Sequence, residues 1–493
     1  MCKAVAVSEE NLVMRVLNLL FLVACLFGID TYAQLDTSFG SGGRLQPGGP
    51  LVRSSKIAIQ PDNSALITAG CSGDIFFTPP RICLWKISED GSVAFYRSTA
   101  VPGLTQSGRP WSNGIAYQSD GKIVVVGALT DGSRNESLLI RYNADGTLDT
   151  SFGTDGFVIN QPTGARAFNG IVVQDDGKLV VSGTTSTTEI VTRFDQNGLV
   201  DPTFGQGGIV SGAGNEIVMM PDARLLAVGS GQMLSRLNSD GSFDTTFGDG
   251  DGQVSIGITG KLVDFQADGR VLVLSGSRSV HRYNRDGSPD LTFNGTGSVT
   301  FYDADHTVTG MSVMPSGKIT VAAFRSLLQS GPSLDFRIAR LLANGAPDPT
   351  FNSTGFMSVD FSGWDDGTDS VKYDRLGRTL IGGFTGQPTG FPYQFATMAA
   401  ARLVGPAIQP VRFSGRVVRA NGMAVSGATI TLSNGKNPIG TARSNHSGFF
   451  TFLNIPTGDT YTVSARSKVA KFRQYNILVD DTINNFIFAA QSQ

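Results

Sequence analysis

Apolar runs along this chain are short and come in pairs around tight turns. Ile171-Val172-Val173 runs into Asp176-Gly177, and Lys178-Leu179-Val180-Val181 runs out again, the pattern of a hairpin whose turn needs a positive φ. Glu189 to Phe194 predicts a third strand, and Gly208-Ile209-Val210 a fourth, beyond a turn that carries Phe204. Four short antiparallel strands of this kind make one blade of a β-propeller.

The unit repeats, and the repeat governs the fold. Asp, any residue, Ser or Thr, Phe, then Gly or Asn occurs at Asp36-Thr37-Ser38-Phe39-Gly40 and again with Phe152, Phe204, Phe247, Phe293 and Phe351. The interval from Phe39 to Phe152 spans two units, with a decayed copy near Phe95. Ahead of each Phe motif come an apolar run, an Arg or Lys, and a turn ending in Gly, as in Arg141-Tyr142-Asn143-Ala144-Asp145-Gly146; the other turn glycines are Gly91, Gly198, Gly241, Gly287 and Gly345. A third motif is the tight turn Asp120-Gly121-Lys122, repeated at Asp176, Asp268, Ser316 and Leu376, with worn copies at Asp62-Asn63 and Asp222-Ala223. Seven units result. The Asp of the Phe motif is expected to cap its own turn, and the Phe to pack between neighbouring blades.

An elongated solenoid would need terminal caps. Here the last unit has Gly377 to Ile381 and a strand near Ala399 to Leu403, then stops without its Phe motif, while Leu35 to Leu45 carries one. The N-terminal strand is therefore expected to complete the last blade and close a seven-bladed ring over residues 34–405, which removes the open sheet edges. Beyond a linker at 406–410 the period ends. Residues 411–490 show short alternating strands such as Ser414 to Val418 and Ala428 to Leu432, spaced as in a small β-sandwich. The expected class is all-β, a seven-bladed β-propeller followed by that sandwich.

The three propeller motifs, recurring in fixed order, resemble the delta-60 repeats of bacterial exported β-propellers. That resemblance implies an envelope or extracellular setting and no defined reaction. Ser414-Gly415-x-Val417, Val425-Ser426-Gly427-Ala428, Ser447 to Phe452 and Pro456-Thr457-Gly458-x-x-Tyr461 resemble the carboxypeptidase regulatory-like, transthyretin-like sandwich. What this implies is an accessory module without peptidase activity.

The N-terminus reads as an address. An apolar run from Val16 to Phe27 follows Arg15 and precedes Thr31-Tyr32-Ala33-Gln34, as in a secretory signal comprising residues 1–33. Glu9 and Glu10 interrupt its basic start, which makes Met14 an alternative initiator. Leu22-Val23-Ala24-Cys25 offers a second reading, a lipoprotein box with a lipid on Cys25. No later run reaches the ~18 apolar residues of a membrane span. Cys71 and Cys83 flank one loop and read as a disulfide in an exported chain, or as two buried thiols.

Composition agrees with a turn-rich globular chain. Gly is 61 of 493 residues, charged residues are 16%, and 39 Lys+Arg balance 41 Asp+Glu. Balanced charge without a basic run gives no footprint for nucleic acid. The three histidines, His281, His306 and His446, never reach metal-ligand spacing, and no Gly-x-Ser-x-Gly elbow marks a hydrolase. Carboxylates at alternate positions in glycine turns can hold calcium; the candidates are Asp249 and Asp251, and Asp365 and Asp366, with solvated turns as the plainer reading.

In an up-and-down blade the Asp-Gly and Phe-motif turns share one face. The second-to-third-strand loops and blade crossings share the other, and they vary. That variable face carries Trp111, Tyr302, Asp303, His306, Trp364, Phe391 and Tyr393, aromatics beside carboxylates that suit sugars or protein surfaces. Trp111 and Trp364 have a second reading as plugs between blades. The expected function is a monomeric, non-enzymatic exported scaffold that binds a protein or glycan at the cell surface, without a required cofactor, calcium aside. The rival is an enzyme of the lactonase or hydrolase type with a metal at the central channel.

Overall fold

A computed structural model describes residues 34–49, 51–72, 80–104, 108–131, 134–162, 164–276, 278–301, 306–325, 335–361, 365–386, 396–405, 410–435 and 437–490. The expected leader, Cys25 included, lies outside the described residues. Regular structure within them is strand, apart from one 3-10 turn at Phe293–Gly295.

Seven sheets of four antiparallel strands follow one another along the chain. In blade 3 the order is Ala167–Val173, Leu179–Thr184, Glu189–Phe194 and Ile209–Ser211, with each strand paired to the next. The inner strands of blades 1 to 7 are Leu51–Ile59, Arg109–Tyr117, Ala167–Val173, Glu216–Met219, Gly260–Phe265, His306–Val313 and Asp365–Tyr373. Each inner strand touches those of its two neighbours, and blade 7 returns to blade 1. The ring is closed.

Blade 7 takes its outer strand from the N-terminus, with Arg44 opposite Ala401 and Leu45 opposite Ala400. Arg402 Nε donates to Asp36 Oδ2 at 2.8 Å, and the Arg402 guanidinium lies 4.6 Å from the centre of the Phe39 ring.

That contact repeats at the other blade seams. Arg141, Arg193, Arg236, Arg282 and Arg340 each donate to an aspartate eight residues on, Asp149, Asp201, Asp244, Asp290 and Asp348, at 2.7–2.9 Å. Each guanidinium also covers the following motif phenylalanine, from Phe152 to Phe351. The other carboxylate oxygen caps the local turn, as at Asp201, whose Oδ1 accepts from the Thr203 amide at 3.0 Å and hydroxyl at 2.6 Å. The Phe ring then packs on the turn glycine of the next blade. A Cβ on Gly198 would sit 2.9 Å from the Phe152 ring, and its φ of +85° already favours glycine. In blade 1 the motif is lost, yet the Phe95 ring fills the same place against Gly146.

The C-terminal sheets are Phe449–Pro456, Pro410–Val418 and Ile483–Ala489 in one layer, and Asn437–Arg443, Thr429–Asn434, Asp459–Arg466 and Tyr475–Val479 in the other. Phe413, Phe450, Phe452, Tyr461, Phe486 and Phe488 share one buried core between them. This is a sandwich.

Candidate functional site

The sandwich docks on the Asp-Gly face. Arg473 pairs with Asp175 of blade 3, the Tyr475 hydroxyl donates to Pro221 O of blade 4 at 3.1 Å, and the Ile487 amide to Ala267 O of blade 5 at 3.1 Å. In blade 6 the Ser316 amide and hydroxyl donate to Asp480 and Lys318 pairs with Asp481; in blade 7 Arg375 O accepts from Thr460. Blades 3 and 7 stand on opposite sides of the ring, so the domain lies across the channel axis at that end. Burial pushes the Asp480 carboxyl up, against the Ser316 hydrogen bonds. Among the described residues the crossing face carries no such cover.

The channel itself has a volume of about 640 Å³ and is lined by all seven inner strands. Six of them bulge near the crossing end. A bulge re-aims a side chain, and the extra residues Asn113, Asn169, Lys261, Thr309 and Asp369 are all polar. Neighbours tie this level together: Asn113 Nδ2 donates to Asn169 Oδ1 at 3.2 Å, the Ser55 amide to Asp369 Oδ2 at 2.8 Å, and Lys261 Nζ to Val308 O.

Three cations and three carboxyls sit in or beside the channel wall: Lys56, Lys261 and Lys372 with Glu216, Asp264 and Asp369. No two of them form an ion pair within 4.0 Å among the described residues. Burial pushes the Glu216 carboxyl up to about 7, although Lys56 and Lys372 oppose the shift. It pushes Asp264 up to about 6 despite hydrogen bonds from the Phe265 and Val313 amides. Asp369 is raised by burial as well, and Lys261 is lowered by burial with Lys56 nearby. Carboxyls held near neutrality in a cleft can exchange protons with a ligand.

None of the channel charges was singled out by the sequence reading. The repeat held a signal for them, because in blades 2, 3, 5, 6 and 7 the bulged residue lies five positions before the residue that opens the Asp-Gly turn: Asn113 before Gln118, Lys261 before Gln266, Asp369 before Asp374.

The chosen residues fall in several places. Trp111 is half-buried at the crossing end of blade 2. His306 opens the inner strand of blade 6 and borders a cavity of about 320 Å³ with Arg337, Phe356 and Ser358. The ring separates these two. Tyr302, Asp303, Trp364, Phe391 and Tyr393 lie outside the described residues. Asp249 and Asp251 stay exposed in a turn of blade 4, where Asp251 Oδ1 caps the Gln253 amide at 2.9 Å. Asp365 starts the inner strand of blade 7, and Asp366 beside it is buried. Cys71 and Cys83 form a disulfide between the second and third strands of blade 1.

Residues 118–152, 174–204, 221–247, 266–293 and 315–351 match the family model described as "Domain of unknown function (DUF5122) beta-propeller". Residues 412–482 match "Carboxypeptidase regulatory-like domain". No curated protein matches the chain. Solved structures with a similar fold include virginiamycin B lyase from Staphylococcus aureus with quinupristin, at 10% identity and TM-score 0.45 over 73% of this chain and 98% of that one. The WD40 β-propeller domain of Doa1 follows at 13% and 0.40 over 76% and 97%. The PQQ-bound aldose sugar dehydrogenase from Streptomyces coelicolor stands at 12% and 0.36 over 59% and 94%. At these identities and scores none of the three bears on activity.

Proposed function

Because the chain carries DUF5122 β-propeller repeats and a carboxypeptidase regulatory-like domain, we propose that it is an exported, non-enzymatic scaffold presenting its crossing face to a protein or glycan at the bacterial cell surface or outside the cell. One observation carries this reading: the sandwich lies across the Asp-Gly turns of five blades and, among the described residues, makes no contact with the crossing face. The Cys71–Cys83 disulfide favours an oxidising compartment. Half-buried Trp111 offers the flat apolar surface that sugars and protein patches use. The test is binding of the purified protein to a glycan array and to fractionated bacterial envelope, beside a Trp111→Ala/Trp364→Ala variant. Saturable binding that falls at least tenfold in the folded variant is expected; no binding by either protein counts against the reading.

The channel favours a second reading, an enzyme of the lactonase or hydrolase type. Glu216 and Asp264 sit where a carboxyl can act as general acid or base near neutral pH. Turnover of a lactone or ester panel, abolished by Glu216→Gln while the fold is kept, would select it.

A further inference from the structure

Three carboxylates from three separate segments converge on the crossing face where blade 6 meets blade 7. Asp335 precedes the third strand of blade 6, Phe336–Leu341; Asp360 follows its outer strand, Phe356–Val359; Asp366 belongs to the inner strand of blade 7. One oxygen of each lies within 4.8 Å of the other two. Asp366 is fully enclosed, with 0% of its surface exposed. Its Oδ2 accepts from the Phe361 amide at 2.7 Å, but its Oδ1 has no hydrogen-bond partner. Arg337 stands at the rim, its Nη2 3.4 Å from Asp335 Oδ2.

A buried, unfilled carboxylate oxygen costs about 1–3 kcal/mol or more, and adjacent carboxylates repel. A cation relieves both. Calcium binds oxygen at roughly 2.3–2.6 Å, so ligands across it stand up to about 5 Å apart, whereas magnesium at roughly 2.0–2.1 Å brings opposite ligands to about 4.2 Å. The hard oxygen donors suit a divalent cation of this kind, and carboxylates drawn from three separate segments suit calcium's flexible coordination better than magnesium's near-ideal octahedron.

We infer that Asp335, Asp360 and Asp366 form a calcium site that ties the outer part of blade 6 to the inner strand of blade 7. This site differs from the exposed Asp249–Asp251 turn and stands whether or not the face binds a glycan or protein.

The test uses the purified protein stripped with EGTA, dialysed, and titrated with calcium and magnesium by calorimetry and thermal melting. Asp360→Asn changes an exposed side chain. Asp366→Asn removes the enclosed charge, and Asp249→Asn/Asp251→Asn serves as control. One calcium per chain is expected, with a midpoint several degrees higher in calcium than in EGTA, at least tenfold weaker magnesium binding, and at least tenfold weaker calcium binding in either single variant. Absence of uptake at 10 mM calcium overturns the site, as does uptake unchanged in both single variants or lost in the control. Equal affinity for magnesium overturns the choice of ion.

Discussion

At Asp201, in the seam between blades 3 and 4, a carboxylate is met by the amide and hydroxyl of Thr203, by Lys178 and by Arg193. At Glu216, in the channel, a carboxylate is met by no side-chain donor among the described residues. Burial opposes ionisation at both. At Asp201 the hydrogen bonds and the Arg193 charge outweigh it and hold the carboxyl below the usual range; at Glu216 burial wins. The seam repeats its charge pair around the ring and uses it as mortar. The channel holds charges that differ from blade to blade and that the fold does not neutralise, which is how a site differs from a joint.

The largest effect should come from breaking a seam. Arg402→Ala leaves buried Asp36 with no cationic partner among the described residues and uncovers Phe39, and should cost about 3–5 kcal/mol in urea unfolding. A loss under 1 kcal/mol would make the seam no stronger than a surface pair. Glu216→Gln should act with the opposite sign. A carboxyl whose folded pKa is raised destabilises the fold only when ionised, so the penalty appears as pH rises above about 4.5 and is complete above about 7. The variant should therefore match its parent at pH 4 and exceed it by about 1–3 kcal/mol at pH 8. A gain at both pH values would mean that shape, not charge, is responsible.

The seams should answer acid instead. Asp149, Asp201 and Asp244 are held low, so their contribution is present above about pH 3.8 and lost below it. Stability should fall steeply between pH 4 and 2, and Asp201→Asn should shrink that fall. The smallest effect tests the docked face: Ser316→Ala removes one of the two donors to enclosed Asp480, the hydroxyl, and keeps the amide. It should cost about 1–2 kcal/mol, seen in calorimetry as earlier loss of the sandwich contact.

The seams were legible because they recur. An arginine, an aspartate eight residues later and a phenylalanine three beyond it appear in five units, and the turn-capping role of the Asp and the interblade place of the Phe followed from residue type. The Arg–Asp pairing was visible in the spacing but was not drawn. Phe95 shows the converse, a motif erased while its ring is kept against Gly146 of the next blade. The channel stayed hidden since inner-strand positions such as Asn113, Asn169, Lys261 and Asp369 face a void rather than a packed neighbour, and so share no hydrophobic pattern. Docking of the sandwich through Arg473, Tyr475 and Asp480 likewise leaves no period to read. The Asp335, Asp360 and Asp366 cluster joins three segments, whereas sequence displays adjacency alone and offered Asp365 with Asp366.

The strand borrowed from the N-terminus fixes an order of events. Asp36 and Arg402 are 366 positions apart, so the first-made strand of the ring has no sheet partner until nearly the whole propeller has emerged. A chain halted anywhere in between carries two raw sheet edges, ready to pair with a neighbour.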